Sequence, residues 1–99
     1  MKGHEVKTTI TAVSGAGSVN INAPLSYGIL KHIFISAATN TTTFDVSLTD
    51  KYDNVTTEYD DNTGVLSELT ENMSYGNWTM SISSASVDEV FNIHLVFTE

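Results

Sequence analysis

Two stretches near the C-terminus alternate apolar and polar residues with a period of two. The first, NWTMSIS, runs from Asn77 to Ser83, and the second, EVFNIHLVFT, runs from Glu89 to Thr98. Since successive side chains of a β-strand point to opposite faces, this alternation predicts two strands, each with one buried face. The segment SASVD between them is short and polar, which is typical of a hairpin loop, so the two strands are predicted to pair with each other.

Similar patterns recur along the chain, in EVKTTITAV, SVNINA, TFDVSLTD and VTTEY. The turn SGAG predicts a hairpin of the first two, because glycine reaches positive φ without steric cost. Asp50–Asn54 and Asp60–Gly64 are also predicted turns. The segment Val65–Gly76 fits two helical turns or a short strand, and irregular or short-strand structure is favoured because nothing else in the chain favours helix.

Seven or eight short strands with polar turns predict an all-β fold, a single antiparallel β-sandwich or jelly roll. One domain is predicted to span residues 1–99, with residues 1–4 as a flexible N-terminus. The apolar phase of the strands gives the predicted core, which comprises Ile10, Ile21, Ile33, Phe44, Val46, Trp78, Met80, Ile82, Phe91, Ile93 and Leu95.

The strand YGILKHIFISA (Tyr27–Ala37) is apolar on both faces, with Leu30 and Phe34 opposite its isoleucines. A small domain does not easily hide both faces of a strand, so the surface around Leu30 and Phe34 is predicted to meet another subunit or a different protein. The alternative is a central strand whose outer face is covered by the segment VLSELTENM.

Charge excludes several classes of partner. The chain has 12 acidic residues against four lysines and no arginine, for a net charge of −8. The negative potential of such a chain repels nucleic acid and anionic lipid, because proteins bind both through basic surfaces. No apolar run approaches the ~18 residues of a membrane span, and no secretory signal opens the sequence. The chain is therefore expected to be made in the cytoplasm, without a membrane partner.

No catalytic, cofactor-binding or metal-binding residue is predicted. Cysteine is absent, which excludes disulfides and thiolate metal sites. The histidines are His4, His32 and His94. His32 and His94 would lie side by side if their strands paired, but a zinc site needs a third protein ligand and catalysis needs a positioned partner. No nucleophile elbow or phosphate loop is present, so the chain is predicted not to be an enzyme.

The acidic turns within Asp50–Gly64 suggest an alternative function, in which the chain is a calcium- or carbohydrate-binding module. Clustered carboxylates supply the oxygen ligands that calcium prefers, although the regular spacing of a calcium loop is missing. Exposed loop tyrosines can stack on sugars or cap the ends of a sandwich. The four tyrosines in or beside predicted loops are Tyr27, Tyr52, Tyr59 and Tyr75.

The order of strands resembles the small β-sandwich virion proteins of tailed bacteriophages, of the decoration, head-fibre or tail-accessory type. The resemblance runs from about Glu5 to Phe97, through KTTITAVSGAGSVNINA, YGILKHIFISA, TFDVSLTD, NWTMSIS and FNIHLVF. It implies a non-catalytic structural subunit of the virion, present in many copies, whose partners are itself or other capsid or tail proteins. No functional residue is implied by it.

Overall fold

The computed structural model describes residues 3–22, 29–49, 55–73 and 77–98. Every regular element in these ranges is a β-strand. Within them, no helix is long and apolar enough to cross a membrane. The strands are β1 (Gly3–Thr11), β2 (Gly17–Asn22), β3 (Ile29–Ala37), β4 (Thr43–Thr49), β5 (Val55–Thr63), β6 (Val65–Met73), β7 (Asn77–Ser83) and β8 (Val90–Thr98).

The strands form two antiparallel four-stranded sheets around one core. The front sheet has the order β1-β8-β3-β6, and the back sheet has the order β5-β4-β7-β2. The two sheets join where β5 meets β6, through the pair Thr63–Val65. This order is that of a jelly roll, in which most connections cross from one sheet to the other. The predicted fold class, an antiparallel β-sandwich or jelly roll of seven or eight strands, is confirmed.

The two predicted hairpins are wrong. Strand β1 pairs with β8 and β2 pairs with β7, so that Val13 and Ala16 form only an isolated bridge between the ends of β1 and β2. Likewise β7 lies between β4 and β2, while β8 lies between β1 and β3. The alternation of apolar and polar residues identifies the buried face of a strand. It does not show whether the next strand in the sequence pairs with that strand or lies in the opposite sheet, because the alternation is identical in both cases.

The core is built from the inward positions of both sheets. Of the predicted core residues, all except Trp78 are buried. Trp78 is only half-buried and packs against the edge of the core, because it is the second residue of β7 and lies near the end of the sheet. A large indole is seldom enclosed completely at such a position.

A β-bulge in β3 changes which side chains share a face. Two steps along β3, from Leu30 to His32, oppose a single step along β8, so that Lys31 is an extra residue relative to β8. The register against β6 shifts at the same place, but there the extra residue lies on β6. Leu30 therefore points inward and is buried beside Ile33, whereas Phe34 points outward. The prediction that Leu30 shares the outer face with Phe34 is wrong, since an extra residue reverses the alternation beyond it.

The segment VLSELTENM is β6, which confirms the strand reading over the helical one within Val65–Met73. It pairs with the edge of β3 and does not cover the outer face of that strand. The alternative is therefore right that β3 is a central strand, between β8 and β6, but wrong that this segment covers its outer face, where Phe34 is 36% exposed.

Candidate functional site

Exposed apolar side chains and two histidines lie together on the outer face of the front sheet. Antiparallel pairing arranges its outward side chains in three rows that cross β1, β8, β3 and β6. We call this surface the front face. Its rows are Glu5–Val96–His32–Leu69, Lys7–His94–Phe34–Ser67 and Thr9–Asn92–Ser36–Val65.

Three rings occupy the middle of the front face. His32 and Phe34 are two residues apart on β3, and their ring centroids lie 3.7 Å apart. Phe34 is paired with His94 of β8, whose ring is stacked at 5.8 Å with an interplanar angle of 22°. Both imidazoles thus pack against the phenyl ring, which leaves only part of its surface for an incoming ligand.

Each histidine has a polar neighbour. His32 Nε2 lies 3.1 Å from the Ser67 hydroxyl. His94 Nε2 lies 3.4 Å from Glu5 Oε1, and it has no hydrogen-bond partner of good geometry. The distance suits an ion pair once the imidazole is protonated and is too long for a strong neutral hydrogen bond. The Glu5–His94 contact was not predicted, because its partners are far apart in the sequence and meet only through the β1–β8 register.

The two histidines share a face, as their strands pair, but Phe34 stands between them. They are therefore not the adjacent pair that the sequence suggested. Among the described residues, no group of three His, Cys, Asp or Glu side chains is placed to hold a metal ion. The side chain of His4, which lies on β1 opposite Phe97, is not described.

A shallow groove of about 710 Å³ crosses the front face. Its walls combine the apolar side chains of Phe34 and Val65 with polar groups of Lys7, Asn92 and His94. Val65 is 59% exposed, and Leu69, two rows away on the same strand, is 79% exposed. A contiguous exposed apolar surface with a polar rim is typical of an interaction site.

The outer face of the back sheet has the opposite character. It presents hydroxyls, amides and carboxylates, and it has no large exposed apolar side chain among its described positions. The rows there include Ser18–Ser81–Ser47–Glu58 and Asn20–Thr79–Thr49. Over the described positions, the two outer faces are thus chemically distinct, and of the two it is the front face that exposes large apolar side chains.

The predicted turn at Asp60–Gly64 is wrong over most of its length. Asp60 and Asp61 lie within β5, at a bulge where Asp61 has a φ of 59°. The Asp61 amide donates to Asp45 Oδ1 at 2.8 Å, and the Asn62 side-chain amide donates to the Tyr59 carbonyl at 2.8 Å. These polar groups shape the bulge, as Asx side chains commonly do.

Tyr59 is half-buried in β5 and packs against the core, so of the two alternatives for the tyrosines it does not fit an exposed sugar-stacking ring. The predicted turn at Asp50–Asn54 lies outside the described residues, as do Tyr27, Tyr52 and Tyr75. The candidate calcium loop is therefore represented only by its second half, which is strand.

Carboxylates of the β7–β8 loop tie together one end of the sandwich. Asp88 accepts hydrogen bonds from the amides of Ser14 and Gly15, both at 2.9 Å. Glu89 accepts from the hydroxyls of Thr42 and Thr39, the latter at 2.9 Å. Both residues therefore have a structural role, since each connects the loop to a different turn.

The hydrogen bond from the Thr42 hydroxyl lowers the pKa of Glu89 below its usual value near 4.5. Partial burial opposes this shift, and the bonds from Thr39 reinforce it. Because the folded-state pKa is lower than the unfolded one, the Glu89 contribution to stability is complete above pH 4.5 and is lost as pH falls through the lowered pKa.

We expect Glu89→Gln to lower the thermal unfolding midpoint at neutral pH, because an amide accepts weaker hydrogen bonds than a carboxylate. The difference from the wild type should shrink as the pH falls below 4.5, where the wild-type carboxylate becomes protonated. Thermal melts at several pH values test this, with Glu58→Gln as an exposed control. A midpoint difference that stays constant at acidic pH would contradict the assigned role of the charge.

Comparisons with known proteins add little to this description. A scan against protein families finds no match to the sequence, and no curated protein matches it. Among the solved structures that do match is the carbohydrate-binding module CBM36 in complex with calcium and xylotriose. The alignment covers 96% of this chain and 88% of that one, at 11% identity and a TM-score of 0.45. At that similarity, no ligand or activity is transferred, and the function has to be argued from the front face.

Proposed function

We propose that this protein is a non-catalytic structural subunit that works through protein–protein contacts, present in many copies in a virion. The observation that carries the proposal is the contrast between the two outer faces. The front face exposes Phe34, Val65 and Leu69, whereas the back sheet presents polar and acidic groups. Apolar area concentrated on one face of a small domain favours a protein interface.

The chemistry of the front face also favours contact over catalysis. His32 is beside Ser67, and His94 is beside Glu5 and Phe34. A histidine and a carboxylate form part of a general acid–base system, but a reaction also needs a nucleophile or bound electrophile within reach of the imidazole. The Ser67 hydroxyl lies 3.1 Å from His32 Nε2, but the Glu5 carboxylate lies beside His94 and not beside His32. Among the described residues, a nucleophile, a base and an orienting acid are therefore not assembled around one imidazole.

The assignment to a virion rests on the resemblance of the strand pattern to phage decoration, head-fibre and tail-accessory proteins. Jelly rolls are common in viral capsid proteins, although the same architecture also serves lectins and enzymes. The chain is small, acidic and free of cysteine, which suits a subunit made in a reducing cytoplasm and assembled there.

Mass spectrometry of purified particles of the encoding virus tests the proposal. We expect the chain to copurify with intact particles through a density gradient, at a copy number comparable to that of a capsid or tail protein. A matched sample of infected-cell lysate depleted of particles is the control. If the chain is abundant in that lysate and absent from the particles, the structural role is wrong.

The competing function is carbohydrate or calcium binding, which the groove across the front face favours because it combines an aromatic ring with polar groups. A glycan array and calorimetry with calcium separate the two functions, and we expect no binding in either. Micromolar binding that is lost in Phe34→Ala, Tyr59→Ala or Asp60→Ala would replace the structural proposal and locate the site.

A further inference from the structure

We propose that the front face binds a second copy of this chain, in a two-fold contact that pairs Glu5 of each copy with Lys7 of the partner subunit. The inference rests on the proposed function, which it deepens by naming the partner and the contact. The evidence for this contact is the order of charged and apolar side chains in the three rows of the front face.

Glu5 and Lys7 supply the charge pattern. They are two residues apart on β1 and both point outward, each in its own row. Two copies can meet face to face about a two-fold axis that lies perpendicular to the strands, between the row of Glu5 and the row of Lys7. Rotation about this axis places the Glu5 row of one copy opposite the Lys7 row of the other. Each Glu5 then faces Lys7 of the partner subunit, and the contact is self-complementary, as an isologous interface requires.

The same two-fold rotation places the other side chains of these two rows opposite each other. Phe34 faces His32 of the partner subunit, which extends the ring stack already present within one chain. Val96 and Leu69 bring apolar side chains to the same two rows. The rings of β3 and β8 and the Val96 side chain therefore lie at the centre of the contact, while the ion pairs lie at its β1 edge and Leu69 at its β6 edge. An apolar centre with charged groups at the rim is the common arrangement of protein interfaces.

Repulsion between the acidic chains favours this face over the others. The net charge is −8, so two copies repel each other wherever carboxylates meet. Among the twelve positions of the three rows, Glu5 is the one acid, and Lys7 balances it. The outer face of the back sheet carries Asp45 and Glu58 with no described lysine in its rows.

The size of the front face suits a dimer of moderate affinity. Four strands spaced by ~4.8 Å, each of nine residues at ~3.3 Å per residue, cover about 570 Å². Two copies would together bury about 1,100 Å², which is at the lower limit of specific interfaces. We therefore expect an association that depends on concentration.

Charge reversal tests the proposal by sedimentation velocity over a concentration series. Glu5→Lys and Lys7→Glu each place like charges opposite each other at two symmetric positions, so either change should weaken the dimer about tenfold or more. The double variant Glu5→Lys/Lys7→Glu recreates the opposite-charge contact with the signs exchanged, and it should recover most of the wild-type affinity. Phe34→Ser should abolish association at the concentrations that dimerise the wild type.

Ser18→Lys, on the outer face of the back sheet, is the matched control for an added charge and should leave the dimer unchanged. Far-UV circular dichroism verifies that each variant is folded. A wild type that is monomeric at every concentration overturns the inference. A double variant as weak as the single ones also overturns it, because a contact with a different protein gains nothing from exchanging both charges.

These outcomes are separable from those of the proposed function. A monomer in solution that is nevertheless found in purified particles overturns the dimer and leaves the structural role standing. A dimer that obeys the charge-reversal pattern but is absent from particles supports the contact and overturns the assignment to a virion.

Discussion

Replacing Phe91 by alanine is expected to destabilise the protein by about 3–5 kcal/mol. The Phe91 side chain belongs to the front sheet and is 0% exposed. Its ring meets that of Phe44, from the back sheet, edge to face at a centroid distance of 5.0 Å. Truncation therefore leaves a cavity between the sheets and removes an aromatic contact that connects them.

Urea denaturation measures the effect, and Phe34→Ala is the matched control. Both substitutions remove the same ring, but Phe34 lies on the front face and is 36% exposed. Because a total stability of about 5–15 kcal/mol is usual, the Phe91 variant is expected to be partly or wholly unfolded. The Phe34 variant should lose about 1 kcal/mol or less. Equal losses at the two positions would show that burial does not determine the cost.

The second large effect is expected at Gly64, in the turn that joins the two sheets. Its φ is +71°, a conformation that residues with a side chain rarely adopt. A Cβ at this position would lie against the carbonyl oxygen of Asn40 and 2.9 Å from its carbonyl carbon. The Gly64 amide also donates to the Thr42 carbonyl at 2.8 Å, so that the turn cannot move away without breaking a backbone hydrogen bond.

Gly64→Ala should therefore cost about 3 kcal/mol or more, since backbone strain of about 1–3 kcal/mol adds to a clash with main-chain atoms. Gly15→Ala is the control, because its φ is +82° but the nearest atom to an added Cβ is the Ala85 carbonyl oxygen at 3.3 Å. That variant should lose about 1 kcal/mol, mainly from the backbone conformation, because the Ala85 oxygen has to move by only a few tenths of an ångström. Similar losses in the two variants would exclude the contact with Asn40 as a cause.

The sequence was informative wherever an apolar residue recurred at every second position. In β8, Phe91, Ile93, Leu95 and Phe97 are all buried, as their spacing predicts. This success has a simple cause, since the two faces of a strand alternate and only one face of each sheet is in contact with the core. For β6 the pattern was ambiguous between helix and strand, and the strand was favoured only because nothing else in the chain favours helix.

The alternating pattern could not predict bulges within the strands. The bulge at Lys31 moves Leu30 into the core, and the bulge near Asp61 extends β5 through residues that read as a turn. Each bulge inserts one residue, and a sequence contains no mark that distinguishes an inserted residue from a regular one. Both errors affected the predicted sites, namely the exposed patch at Leu30 and the acidic loop at Asp60.

By itself, the sequence determined the fold class and most of the core, because the apolar period of a strand depends only on neighbouring residues. Only the tertiary structure decided which strands pair. The jelly roll places β8 between β1 and β3, and this pairing brings Glu5, His94 and Phe34 onto one face. Strand pairing depends on which apolar faces can be buried together across the whole chain, a non-local condition that no short stretch of sequence contains.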